Sequence, residues 1–166
     1  MNKLAVAIGI DPGVKGAIAY RTSGGYYDVV DMPQTVRDIW RYLEKATDGA
    51  NTNRMFCCIE SQRHWGKSDD LQGNRLTRYL KHYGALTAIL ELLAIKYEEV
   101  PAKTWQADLL GFIDEGQTKL ASVDYATRNA PSLKDKLKAK TTGRPDAMCL
   151  ALYAEQSAKF LTEKGR

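Results

Sequence analysis

Two apolar runs of the chain each end in a single carboxylate. Residues 4–10 are almost continuously apolar and are followed by Asp11, and the run over residues 55–59 is followed by Glu60. Apolar runs of this kind are typical of strands that are buried on both faces of a sheet. A carboxylate at the end of such a strand loses hydration, so it needs a cation or strong hydrogen-bond donors. The alternative for Asp11 is a simple turn, because a Pro-Gly pair follows it.

The remaining pattern predicts alternating helices and strands. Strands are expected near residues 4–11, 14–22, 26–32, 55–60 and 94–100. Apolar residues at helical spacing predict helices near residues 34–47, 73–94, 102–110, 117–129 and 145–160. Three strands in a meander, followed by alternating helices and strands, indicate an α/β fold with a mixed five-stranded sheet flanked by helices. Since there is no internal repeat or linker, residues 1–166 are expected to form a single domain.

A third acid, Asp146, lies in the first turn of the last predicted helix. Pro145 directly before it suits the first position of a helix. An acid in that turn complements the helix dipole, so charge compensation is the alternative to a functional role. If Asp146 converges with Asp11 and Glu60, the three acids form a site for a hard divalent cation, Mg²⁺ or Mn²⁺, and such ions serve phosphoryl chemistry.

The motifs around these acids resemble those of RuvC-type Holliday junction resolvases, which belong to the RNase H-like superfamily. The motifs are Gly9-Ile10-Asp11-Pro12-Gly13 with Gly16, then Ile59-Glu60-Ser61-Gln62, and finally Asp146-Ala147 followed by Leu150-Ala151. The resemblance runs from about residue 4 to residue 154, with the acids in the family's order. It implies an RNase H-like sheet in which the strands ending in Asp11 and Glu60 are parallel neighbours. It also implies that Asp11, Glu60 and Asp146 are catalytic, metal-binding residues.

The function implied by the resemblance is a metal-dependent, structure-selective DNA endonuclease. Such an enzyme would cleave Holliday junctions or other branched DNA in recombination or repair, with Mg²⁺ or Mn²⁺ as cofactor and two ions per active site. A homodimer is expected through the long helix 73–94, which carries apolar residues on more than one face, because a four-way junction needs two symmetric cuts. A fully buried central helix is the alternative. An RNA-processing nuclease of the same superfamily and a catalytically degenerate junction-binding protein also stay open.

One part of the family's pattern is missing. The family commonly has a fourth ligand, Asp or His, about one helical turn before the last Asp, whereas Thr142 and Gly143 stand there in this chain. Neither residue is a good cation ligand, so either another group supplies the contact or the second ion is held more loosely. Asp31, Gln62 and His64 are the candidates for that contact. The missing ligand also favours the degenerate, non-catalytic alternative.

Basic residues near Asp146 predict a contact with the DNA backbone. The net charge is +4, and residues 134–144 alone carry that surplus, with five cations against one acid. Positive potential beside a metal site suits a phosphodiester backbone, although a solvated lysine-rich loop is the alternative. The DNA-binding candidates are Gln62, Arg63, His64, Trp65, Lys103, Lys119, Lys136, Lys138, Lys140 and Arg144. The resemblance implies that Lys103, Trp105 and Lys119 contact phosphates. It also implies that His64 or Trp65 stacks on exposed bases at the branch point.

Composition narrows the class of protein further. No apolar run approaches the roughly 20 residues that a membrane-spanning helix needs, and residues 1–3 lead into a strand instead of a signal peptide. Cys57, Cys58 and Cys149 lie in apolar segments without metal-ligand spacing, which predicts reduced core residues. A cytoplasmic protein is therefore expected, either nucleoid-associated or viral and acting in the host cytoplasm. Actin-like ATPases share a Gly-Ile-Asp start, but this chain is too short for their two lobes.

Overall fold

The computed structural model describes residues 4–61, 74–114, 116–138 and 142–163. Its strands are β1 (Val6–Asp11), β2 (Ala17–Thr22), β3 (Tyr27–Asp31), β4 (Met55–Ser61) and β5 (Lys96–Pro101). They form one sheet in the order β3-β2-β1-β4-β5. The first three strands pair antiparallel as a meander, whereas β1 with β4 and β4 with β5 pair in parallel. The predicted α/β fold with a mixed five-stranded sheet is thus confirmed.

Helices cover both faces of this sheet. The described residues form α1 (Val36–Thr47), α2 (Asn74–Leu92), α3 (Ala102–Leu110), α4 (Thr118–Asn129), α5 (Lys134–Leu137) and α6 (Arg144–Glu163). Every strand and helix predicted from the apolar pattern is present, with boundaries that differ by no more than three residues. The short helix α5 was not predicted. It forms inside the expected basic loop because Leu133 and Leu137 are buried and anchor that segment to the core.

The two faces of the sheet bury different sets of side chains. Successive residues of a strand point to opposite faces, so Ile8 and Ile10 of β1 pack in the core on the side of α1 and α2. Ala7 faces the other core, which is built around α6 with contributions from α3, α4 and α5. Burial on both faces explains why the apolar runs that predicted β1 and β4 are nearly continuous.

Helix α6 lies directly against the backbone of β1. A Cβ atom at Gly9 would overlap the backbone oxygen of Ala147 and the backbone nitrogen of Ala151. A glycine on the strand and alanines on the helix therefore allow an approach that larger side chains would prevent. Because α6 passes so close to β1, the start of α6 comes to lie at the end of that strand.

The cysteines and the helices agree with two further expectations. Cys57, Cys58 and Cys149 are all buried and free, as predicted for core residues. Among the described residues, no helix combines the length and the apolar character that crossing a membrane requires.

Substitution of Gly9 by Ala is expected to destabilise the fold. The added methyl group collides with the backbone of α6, which cannot move as a side chain can, so the free energy of unfolding should fall by about 1–3 kcal/mol or more. The control is Gly84→Ala in α2, where the added Cβ meets open space and the higher helix propensity of Ala should raise stability by up to about 1 kcal/mol. Urea denaturation measures both. Equal effects of the two substitutions would contradict the close β1–α6 contact.

Candidate active site

Asp11 and Glu60 lie side by side at the ends of the two central strands. β1 and β4 are parallel neighbours, as the resemblance implied, and their last paired residues are Ile10 and Ile59. The two acids are the next residues on each strand, and neighbouring strands are only about 4.8 Å apart. Both acids lie on the α6-facing side of the sheet, because Asp11 shares the face of Ala7 and Glu60 shares the face of Cys58. The sheet therefore presents two carboxylates next to each other toward the start of α6.

The first turn of α6 brings Asp146 to the same place. The backbone nitrogen of Gly143 donates to the oxygen of Lys15 at 2.7 Å, which ties the start of α6 to the turn between β1 and β2. Repulsion from Asp146 contributes to raising the pKa of both Asp11 and Glu60. The three acids predicted from the sequence thus share one electrostatic site.

The pKa of Asp11 reflects this crowding. The pKa of Asp11 is raised from 3.8 to about 8, mainly by burial and further by repulsion from Glu60 and Asp146, while the charge of Lys119 opposes the rise. The pKa of Glu60 is also raised by burial, against the hydrogen bond from Trp105 and the charge of Lys119. Partly buried carboxylates that repel one another are stabilised when a cation binds between them. Electrostatics of this kind are characteristic of functional sites.

Two of the acids are held by neighbouring side chains. The indole nitrogen of Trp105 donates to Oε2 of Glu60 at 3.0 Å, and Nζ of Lys119 donates to Oδ2 of Asp146 at 2.6 Å. Trp105 is fully buried in α3, so its expected contact with a DNA phosphate is wrong, and it positions Glu60 instead. With these partners in place, no group of three or more His, Cys, Asp or Glu side chains within the described ranges is arranged around a common metal position.

Of the two residues at the expected position of the fourth ligand, Thr142 and Gly143, the second has no side chain and little room for one. A Cβ atom at Gly143 would overlap Oδ2 of Asp11, so the carboxylate of Asp11 itself fills that space. Thr142 lines a cavity of about 300 Å³ beside Asp11. The start of α6 therefore contributes the carboxylate of Asp146 to the site. Thr142 and Gly143, the two residues before Arg144, add no carboxylate or imidazole.

Of the three residues named as substitutes for that ligand, Asp31 lies within the described residues, and its carboxylate is paired with Arg144. Both carboxylate oxygens of Asp31 accept hydrogen bonds from Arg144, from Nε at 2.7 Å and from Nη2 at 2.5 Å. Asp31 is thus held at the end of β3 by a bidentate ion pair. Gln62 and His64 lie outside the described residues.

The predicted DNA-binding side chains fall into three groups. Lys119 lies in the acid site, and Lys103 is exposed near the start of α3, just beyond the end of β5. Three further cations are paired with carboxylates: Lys136 with Asp28 at 2.8 Å, Lys138 with Asp135 at 3.1 Å, and Arg144 with Asp31 at 2.5 Å. The remaining candidates lie outside the described residues, namely Gln62, Arg63, His64, Trp65 and Lys140.

These ion pairs change the picture of the basic segment. Lys136 and Arg144 bind acids of β3, and a nitrogen of Arg144 also donates to the backbone oxygen of Lys136 at 3.3 Å. The described part of the segment is therefore fastened to the sheet instead of forming a freely solvated loop. The partly exposed lysine pairs contribute little free energy, so a phosphate can replace their carboxylates at small cost, whereas the bidentate pair of Arg144 with Asp31 is stronger.

Lys15 is a basic residue of the site that the sequence analysis missed. It is exposed in the turn between β1 and β2, and it lines the same cavity as Asp11 and Lys119. Lys15 lies in the turn directly after Asp11, the acid at the end of β1. This position is the sequence signal that could have identified Lys15, because the residues of such a turn lie near the acid.

Comparison with solved structures finds a similar fold in two structures of RuvC from Thermus thermophilus. The Thermus thermophilus RuvC structure has a TM-score of 0.61 and 15% sequence identity, and the match covers 93% of this chain and 96% of that chain. T. thermophilus RuvC in complex with a Holliday junction substrate has a TM-score of 0.58 and 15% identity, with 94% and 96% covered. This chain therefore has a RuvC-like fold. The sequence matches no family model and no curated protein.

The raised pKa of Asp11 predicts how stability depends on pH. The folded protein keeps a proton on Asp11 that the unfolded chain releases, so the free energy of unfolding of the metal-free protein should fall as the pH rises from about 4 to about 8. The full shift corresponds to a loss on the order of 5 kcal/mol. Asp11→Asn removes this loss, so the variant should be more stable than the wild type at a pH of about 8.

Urea denaturation with a chelator, repeated across that pH range, measures the effect. Asp124→Asn, which changes an exposed residue of α4, is the control and should keep the wild-type profile. If Asp11→Asn also keeps the wild-type profile, Asp11 is not the buried, crowded acid described above.

Proposed function

We propose that this chain is a divalent-metal-dependent endonuclease that cleaves branched DNA, with Holliday junctions as its substrate. The observation that carries the proposal is the meeting of Asp11, Glu60 and Asp146 at one edge of a RuvC-like sheet. One structure of similar fold is a RuvC bound to a Holliday junction. The proposed setting is recombination or repair in the cytoplasm, and the proposed nuclease domain spans residues 1–166.

The donor set fits a hard divalent cation. Carboxylate oxygens are the ligands that Mg²⁺ and Mn²⁺ prefer, and the burial and repulsion of these acids favour an added positive charge. Asp11 and Glu60 would hold the ion from adjacent strands, and Asp146 would act from α6. When bound, such an ion supplies an activated water and stabilises the charge that develops on the scissile phosphate and the leaving 3′ oxygen.

The protein's own contribution is positioning. The buried indole of Trp105 holds Glu60 through one oxygen, so the direction of this carboxylate is set before any substrate arrives. The packing of α6 on Gly9 sets the position of Asp146. Acids held in place by packing and hydrogen bonds need little rearrangement when they act, and this preorganisation is what an active site requires.

Basic side chains around the same edge would hold the DNA backbone. Lys15 and Lys119 line the cavity beside Asp11, and Lys103 is exposed just past the neighbouring strand β5. Lys136 and Lys138 would extend this surface once phosphates replace their carboxylate partners, and we propose that Lys140 and Arg144 contribute to it as well. Gln62, Arg63, His64 and Trp65 follow β4 directly, and we propose that they approach the branch point, where an aromatic ring can stack on exposed bases.

A homodimer would allow two symmetric cuts across one junction. Helix α2 supports this arrangement because Leu80 and Leu92 are exposed on it, at 44% and 72% of their surface. A twofold pair of such helices would bury these side chains, and each protomer would then present one acid site to one strand of the junction.

A junction-binding protein without catalysis is the second candidate. Gly143 at the fourth ligand position and the pairing of Lys119 with Asp146 favour it, because both reduce the number of ligands available to metal ions. This candidate binds junctions but does not cleave them.

Replacement of Asp11, Glu60 or Asp146 by the matching amide is expected to abolish cleavage of a labelled four-way junction. Each acid is assigned to the metal, which supplies several kcal/mol of transition-state stabilisation, so the rate should fall by at least about 100-fold. Junction binding should remain nearly intact, since affinity comes mainly from basic groups on phosphates.

Gel-based cleavage and fluorescence anisotropy measure the two properties on the same variants. Glu44→Gln, an exposed acid of α1 on the opposite face of the sheet, is the matched control and should cleave like the wild type. Cleavage by Asp146→Asn at a near wild-type rate would remove that residue from the site.

A further inference from the structure

We infer that this site takes one divalent cation and that the ammonium group of Lys119 stands in the place of a second one. The inference rests on the proposed function, because it takes Asp11, Glu60 and Asp146 as the metal-binding acids. It goes further by assigning the number of ions and the role of a particular lysine.

The charge balance of the site favours a single ion. When all three acids are ionised around a bound cation they carry three negative charges, and Lys119, which is paired with Asp146, adds one positive charge. One divalent cation therefore makes the group neutral, whereas two would leave it with a net charge of plus two. A site for two ions needs a further acid. Gly143, at the start of α6, supplies no such acid. The charge of Asp31 is already balanced by Arg144, which donates to it from Nε and Nη2.

Lys119 is brought to the site by the packing of α4 on α6. Nζ of Lys119 lies 2.6 Å from Oδ2 of Asp146. One helical turn further along each helix, Sγ of Cys149 donates to the backbone oxygen of Ser122 at 3.6 Å, and both residues are fully buried. These two contacts fix how α4 and α6 are aligned. The alignment of the two helices therefore keeps the side chain of Lys119 within reach of Asp146.

The space around Asp11 also favours a single ion. The carboxylate of Asp11 lies so close to Gly143 that a Cβ atom there would overlap it. A ligand side chain cannot be added at this position unless Asp11 moves away from the start of α6. The carboxylate of Asp11 thus occupies the space that a fourth ligand at Gly143 would need. This arrangement is expected of a site that binds one ion instead of two.

An ammonium group can replace the charge of a metal ion but not its chemistry. Lys119 has three donors, of which one binds Asp146, so others remain for a phosphate oxygen of the DNA backbone. It would neutralise and orient the phosphate next to Asp146. Activation of water would be left to the single ion.

Manganese binding to the intact protein tests the inference without relying on cleavage. Titration calorimetry with Mn²⁺ counts the ions, and electron paramagnetic resonance distinguishes an isolated ion from a spin-coupled pair about 3.5–4 Å apart. The wild type should bind one ion and show the isolated signal. The spectrum should stay isolated when a four-way junction is added and the sample is frozen at once.

Variants of Lys119 separate the role of its charge. Lys119→Met should bind either a second ion with a coupled signal or the first ion at least about tenfold more tightly, because a neighbouring positive charge is lost. Lys119→Arg keeps the charge and should still bind one ion, which covers the case in which the Met variant does not fold. Lys45→Met, which changes an exposed lysine of α1 on the opposite face of the sheet, is the control and should behave like the wild type.

The outcomes are distinct. A coupled pair of ions in the wild type overturns the inference but leaves the proposed metal-dependent nuclease standing. Unchanged stoichiometry and affinity in a folded Lys119→Met protein overturn the role of Lys119. Failure of the wild type to bind any ion, with and without junction DNA, contradicts the proposed function itself.

Discussion

The contact between β1 and α6 is the feature on which the rest of the site depends. Gly9 lets α6 lie directly on the backbone of β1, and the helix touches the strand at Ala147 and Ala151. Asp146 immediately precedes Ala147, so this contact also places the third acid above the end of β1. Burial of the apolar face of α6 supplies the free energy that holds like charges together against their repulsion.

A site assembled in this way is poised to accept positive charge. Its carboxylates are partly removed from water, and the pKa values of Asp11 and Glu60 rise mainly through burial. The hydrogen bond from Trp105 and the charge of Lys119 offset part of the negative charge within the protein. A divalent cation and the basic surface for DNA would offset the remainder. Stability and the proposed activity therefore oppose each other at Asp11 and Glu60, because the reaction needs these acids ionised and their ionisation destabilises the metal-free fold.

Much of the fold and the identity of the acids could be predicted because both depend on local sequence patterns. Continuous apolar runs indicated β1 and β4, and an acid at the end of each run indicated the site. Contacts between distant side chains have no such pattern. The bond from Trp105 to Glu60 and the pairing of Lys136 with Asp28 join residues 45 and 108 positions apart, and only the folded chain reveals them. Helix α5 was missed because a single turn rich in lysine has too few apolar positions to show a period.

Incubation of labelled four-way, flap and linear duplex DNA, and of an RNA–DNA hybrid, with Mg²⁺ or Mn²⁺ is the most direct test of the central claim. The acid site on a RuvC-like fold predicts symmetric cleavage of the four-way junction that depends on the metal, with little cleavage of linear duplex. Tight junction binding without metal-dependent cleavage would contradict this account and favour the non-catalytic candidate. Preferred cleavage of the RNA–DNA hybrid would contradict the proposed substrate and indicate an RNA-processing nuclease.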